Sequence, residues 1–150
     1  MVIGIANDHR GYKLKIKIKE YLCKKGYKVE DLGSLSTESV DYPDYAFKLG
    51  TEIVEKRVDF GIAICGSGIG ISIACNKVKG IRCAKVNNAK ETKLAIIDND
   101  ANVIALSGST PFFRALDILD VVLKVKHPQS ERHDRRIRKI TDYEEGKYEC

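Results

Sequence analysis

No two cysteines in this sequence have C-x-x-C spacing, and the five present, Cys23, Cys65, Cys75, Cys83 and Cys150, are odd in number. Both facts speak against a disulfide framework and a thiolate zinc site, so reduced thiols are expected. No apolar run reaches signal-peptide length before Asp8, His9 and Arg10 interrupt the start, and nothing later approaches a membrane span. The expectation is a cytoplasmic protein with no membrane partner. No internal repeat, linker or low-complexity tract interrupts the chain before a charged tail that begins near Pro128. Its 150 residues are enough for one domain that buries roughly two-thirds of its unfolded surface. A single domain over 1–150 is expected, with 128–150 as a charged C-terminal arm.

What the chain does have is positive charge, formally +5. The lysines at 13, 15, 17, 19, 24 and 25 are spread along one helix-like segment, which reads as a solvated face rather than a nucleic-acid surface. An anionic small substrate suits the same excess, because a positive field concentrates anions near the protein.

Five short apolar strands are legible: Val2–Ala6, Lys28–Leu32, Phe60–Ile64, Ile81–Val86 and Val103–Leu106. Each is followed by a segment of helical length. Leu14, Ile18, Tyr21 and Leu22 form one stripe that stops at Gly26, Tyr45, Ala46, Leu49, Ile53 and Val54 a second behind Pro43, and Phe112, Leu116, Leu119 and Leu123 a third. Strict alternation predicts an α/β fold, a doubly wound, Rossmann-like parallel sheet with helices on both faces and a basic helical tail. With strand order 2-1-3-4-5, a ligand crevice opens between the loops after the first and third strands. Those loops read Asn7-Asp8-His9-Arg10-Gly11 and Cys65-Gly66-Ser67-Gly68-Ile69-Gly70.

Gly66, Gly68 and Gly70 stand between a buried strand and a helix start, where backbone N–H groups can approach an anion. Phosphate cradle, oxyanion hole and plain tight turn all fit; the dinucleotide fingerprint does not, since the spacing is G-x-G-x-G. Cys65 opens that loop, as a buried small hydrophobe or as a thiolate favoured by nearby cations. Ser67 suits a hydrogen bond to sulfur or substrate, or a helix cap. Asp8 and His9 suit substrate hydroxyls and a phosphate respectively, and Asp8 equally suits a helix cap. Arg132, His133, Arg135, Arg136 and Arg138 crowd the tail, either as solvated charge or as bidentate phosphate ligands.

At this point the sequence resembles a family, the B-type ribose-5-phosphate isomerases together with the galactose-6-phosphate isomerase subunits. The matching stretches are Asn7-Asp8-His9, Val40-Asp41-Tyr42-Pro43, the run from Asp59 through the Cys65–Gly70 loop to Asn76-Lys77, Gly80-Ile81-Arg82, Asn99-Asp100-Ala101-Asn102-Val103 and Arg132-His133. The resemblance implies aldose–ketose isomerisation of a phosphorylated sugar with no metal and no cofactor, ribose 5-phosphate first, in the pentose phosphate pathway. It implies a cis-enediolate, with Cys65 removing the C2 proton, Ser67 assisting, and the Gly66, Gly68, Ile69 and Gly70 backbone holding developing charge. It makes Asn99 a further stabiliser, Asp8 a ligand of sugar hydroxyls, and His9, Arg132 and Arg136 ligands of the phosphate. Tyr42 joins the substrate-binding positions.

Two departures from the pattern stand out. Where many relatives have a ring-opening histidine before Asn99, this chain has Asp98, a relay only if its proton affinity is raised. Where relatives often place a phosphate-binding arginine after the last strand, it has Ser107-Gly108-Ser109-Thr110. A hexose 6-phosphate isomerase and a non-catalytic sugar-phosphate-binding subunit therefore stay open beside the leading reading. Topology adds one more expectation. Asp98 and Asn99 end a helix and precede a strand, so they belong to the sheet edge opposite Cys65, roughly 15 Å away across a ten-residue helix. Pooling them requires a homodimer with shared active sites, and further pairing into tetramers is open.

Overall fold

A computed structural model describes residues 1–149, so Cys150, the last of the expected free thiols, lies outside the described residues. Along them run β1 (Val2–Asn7), α1 (Tyr12–Lys24), β2 (Lys28–Asp31), α2 (Tyr42–Val54), β3 (Phe60–Cys65), α3 (Ile69–Cys75), β4 (Cys83–Lys85), α4 (Ala89–Asn99), β5 (Val103–Ser107), α5 (Phe112–Lys124) and α6 (Glu131–Glu144). The strands form one parallel sheet in the order β2-β1-β3-β5-β4.

The central strands alternate by size. Ile3, Ile5, Ile62, Ile64, Ile104 and Leu106 face the layer formed by α1, α4 and α5. Ala6, Ala63, Cys65 and Ala105 face the layer formed by α2 and α3. The second layer can therefore lie close to the sheet: a Cβ added to Gly4 would stand 2.8 Å from Leu49 Cδ1. Connections toward β4 cross the α2/α3 face and connections back cross the other, so every crossover keeps the right-handed sense.

The order 2-1-3-4-5 is corrected, because β5 lies inside β4. Val103, Ile104, Ala105 and Leu106 are all buried, as a strand covered on both sides requires, whereas Cys83–Lys85 is short and half-buried. The Asn76 amide closes the outer edge of β4, accepting from Cys83 N–H and donating to Cys83 C=O, both at 2.8 Å. The crevice between β1 and β3 is unaffected by this change. What changes is the loop after β5, which is brought next to Cys65.

The reading of the α1 lysines as one solvated face fails at Lys15. Its side chain is 1% exposed, and Nζ donates to Asp31 Oδ1 at 2.9 Å and to the Ser34 carbonyl at 2.6 Å. Asp31 also accepts from Lys19 at 3.0 Å. Burial alone would raise the Asp31 pKa, but the hydrogen bonds from Lys15 and Lys19 outweigh it and hold the carboxyl below its usual value. This knot pins the loop after β2. At the other end of the chain, α6 buries no side chain and lies beside the end of α4 and the start of β4, where Ile140 and Glu144 share a groove with Arg82, Cys83 and Asn99. His127 links it to α4 by bonding Ile97 C=O and Asp134, and Glu144 accepts from Gly80 N–H at 2.9 Å.

Candidate active site

Cys65 is the last residue of β3, 4% exposed, with its side chain toward the α2/α3 layer. Gly68 N–H donates to its sulfur at 3.2 Å, and Cys65 C=O accepts from Gly108 N–H at 2.8 Å. Gly68 must be glycine on two counts: its φ is +78°, and a Cβ would stand 2.8 Å from the Leu106 carbonyl carbon. Ser67 is exposed, and its Oγ accepts from Ile69 N–H at 3.2 Å, the capping bond expected of it, although Gly68 is the N-cap position itself. Among the described residues, the N–H groups of Gly66, Ser67 and Gly70 have no acceptor. The loop thus presents a thiol beside free backbone donors, an arrangement able to take a proton from carbon and hold the charge left on oxygen.

The facing loop follows β1. Buried Asp8 accepts from Arg10 N–H at 2.9 Å and Gly11 N–H at 3.0 Å through Oδ1 alone, which leaves Oδ2 for a ligand. His9 Nδ1 accepts from Val40 N–H at 3.2 Å, so a neutral ring carries its proton on Nε2. The Tyr42 ring, on the first turn of α2, closes over Gly70: an added Cβ would stand 2.7 Å from Cζ and 2.9 Å from the hydroxyl.

The remaining expected residues lie elsewhere. Asp98 and Asn99 end α4, at the amino edge of the sheet. Asp98 Oδ1 stands 3.6 Å from His133 Nε2, to which exposed Arg132 Nη2 comes within 3.1 Å. Arg136 is exposed one turn further along α6. Cys65 is at the far end of a six-residue strand, roughly 17 Å long. The structure therefore unites Cys65, Gly66, Ser67, Gly68, Ile69 and Gly70 with Asp8, His9 and Tyr42, and leaves Asp98, Asn99, Arg132 and Arg136 apart from them.

A groove of about 410 Å³ on the amino edge is lined by residues that include Asn76, Arg82, Cys83, Asn99, Ile140 and Glu144. Its thiol is held in the protonated form, because a hydrogen bond with Cys75, with burial added, pushes the Cys83 pKa up.

Three residues at the Cys65 edge have a part that the sequence did not assign to them. Ser107 Oγ donates to Gly66 C=O at 2.7 Å. Gly108 meets the Arg10 carbonyl so closely that a Cβ would collide with it. The Arg10 guanidinium lies on Gly66, with Nη1, Cζ and Nε at 2.8, 2.9 and 2.9 Å from an added Cβ. The unbroken apolar run of β5, against the polar flanks of β4, was the available signal for the first two. Nothing local signals the third.

Residues 3–140 match the family model described as Ribose/Galactose Isomerase. The ribose-5-phosphate isomerase B structure from Clostridium thermocellum superposes with a TM-score of 0.94 at 44% identity, covering 99% of this chain and 100% of that one. The Mycoplasma genitalium ribose-5-phosphate isomerase B structure with bound ribulose-5-phosphate gives a TM-score of 0.90 at 40% identity, covering 96% of each chain. Ribose-5-phosphate isomerase B of Escherichia coli K12 is 37% identical over 144 residues, 95% of this chain and 96% of its own.

Proposed function

This chain belongs to the ribose/galactose isomerase family and is an aldose–ketose isomerase of ribose 5-phosphate, and we propose that Cys65 is its base and that two copies of the chain build each site. With the sugar open, the Cys65 thiolate takes the C2 proton; the C2–H electrons form the C1–C2 double bond and the aldehyde oxygen gains the charge. The free N–H groups of Gly66, Ser67 and Gly70 meet that oxygen. The hydroxyl proton passes from O2 to O1, a transfer we assign to exposed Ser67. Sulfur then returns its proton to C1 as the C2 carbonyl forms, and the product is ribulose 5-phosphate. Asp8 Oδ2 takes a sugar hydroxyl, Tyr42 closes the pocket over Gly70, and His9 Nε2–H reaches toward the phosphate.

The observation that carries the two-copy reading is the split between edges. Asp98 for ring opening, Asn99 for the enediolate, and Arg132 and Arg136 for the phosphate serve the site of a second chain. Ile69 and Ile73, one turn apart on α3 beside the catalytic loop, are 57% and 56% exposed, an apolar stripe suited to a second copy. No helix among the described residues is long and apolar enough to cross a membrane, and the free thiols suit the reducing cytoplasm, where we place the protein.

The test mixes inactive variants. Cys65→Ala alone should lose turnover by about 10²–10⁴-fold while staying folded. Mixed with Asn99→Ala protein after subunit exchange, it should recover roughly a quarter of wild-type activity, since about half the dimers are hybrids with one intact site each. Verified hybrids as inactive as their parents would overturn the shared site, and an active Cys65→Ala would overturn the base.

A further inference from the structure

The substrate is a dianion at one end and a reacting carbon at the other. Cys65 and its backbone donors serve the reacting end. In the same subunit, the cation that touches their loop is Arg10. Arg57 is paired with Glu52 and Glu55, and Arg82 with Asp100 at 2.7 Å, whereas Arg10 has no carboxylate partner among the described residues. Its side chain makes no hydrogen bond there either. The near-equal approach of Nη1, Cζ and Nε to the Gly66 position means that the guanidinium lies face-on against that residue. A guanidinium donates in its plane, so packing its face leaves its N–H fork free, and such a fork matches phosphate oxygens two at a time. The main chain of Arg10 is wedged against Gly108, and Asp8 Oδ1 accepts its N–H, so the base of the side chain is held.

We propose that Arg10 is a substrate-phosphate ligand, the cation that each subunit contributes to the phosphate end of its own Cys65 site. The proposal rests on the isomerase reading above. It also gives Gly66 a second duty: any side chain there would displace the guanidinium from the face of the loop.

The experiment uses the full chain with ribose 5-phosphate as substrate and inorganic phosphate as a competing probe. Arg10→Met should raise KM tenfold or more and weaken phosphate inhibition in parallel, with kcat changed less than threefold. Ser109→Arg, placed in the Arg10→Met background, returns a guanidinium from the adjoining loop and should recover a substantial part of both losses. Unchanged KM and unchanged phosphate inhibition in Arg10→Met would overturn the proposal. So would a fall in kcat alone, or losses that Ser109→Arg leaves untouched in a folded protein, since either marks Arg10 as a support for the loop. If the wild-type chain itself fails to isomerise ribose 5-phosphate, the isomerase reading fails instead, and phosphate binding to wild type against Arg10→Met still tests the ligand.

Discussion

Cys65 and Ser107 are register partners at the carboxyl ends of β3 and β5, and Ser107 Oγ reaches across to the Gly66 carbonyl at 2.7 Å. The strand beside the thiol thereby holds the loop that presents it. Ser107 also shares a 2.7 Å hydrogen bond with Ser109, so one hydroxyl ties together two loops of the site.

Removing that hydroxyl should loosen the loop without touching Cys65. Ser107→Ala is expected to cost about 1 kcal/mol of stability, a typical net hydrogen bond. It should lower kcat roughly three- to tenfold with little change in KM, because misplaced donors harm the transition state more than binding. Steady-state kinetics beside thermal unfolding will check this, and an unchanged kcat would mean that Gly66 holds its place unaided.

Lys15 carries a buried charge whose partners stay behind when it is removed. Lys15→Met should destabilise the protein by about 3 kcal/mol, at the low end for a broken buried pair because Lys19 still reaches Asp31. For a chain of this size that is a fall of roughly 6–12 °C in Tm. Adding Asp31→Asn should recover part of the loss. A Lys15→Met protein as stable as wild type would show that Ser34 and Asp31 find other donors.

The His127 link between α4 and α6 should respond to pH. His127 bonds Ile97 C=O through Nδ1 and Asp134 through Nε2, both at 2.6 Å, and only the imidazolium can donate from both nitrogens. The Asp134 hydrogen bond, more than any other influence, raises the His127 pKa above 6.5, while His127 holds the Asp134 carboxyl below 3.8. A raised folded value means that the His127 contribution is complete below about pH 6.5 and is lost as pH climbs through that raised value. The Asp134 contribution is present above about pH 3.8 and is lost as pH falls through its lowered value. Amide protection factors over 131–144 should therefore be highest between about pH 4 and 6.5 and decline above it. His127→Phe should flatten the profile, and a flat wild-type profile would show that His127 does not anchor α6.

The alternation of strand and helix, the stop of α1 at Gly26 and the cysteine–glycine loop at a strand's carboxyl end were all legible in the sequence, because each depends on side-chain periodicity or backbone freedom within a few residues. The opposite placement of Asp98 and Asn99 was legible too, since a helix that returns the chain to the start of the next strand fixes the edge by direction alone. The position of β5 inside β4, the burial of Lys15 and the seat of Arg10 on Gly66 were decided only in the tertiary structure. Each joins residues far apart along the chain, and each was settled by which faces had to be covered: β5 needed neighbours on both sides, Lys15 found Asp31 and Ser34 across the packed layer, and the missing side chain at Gly66 left room for the guanidinium.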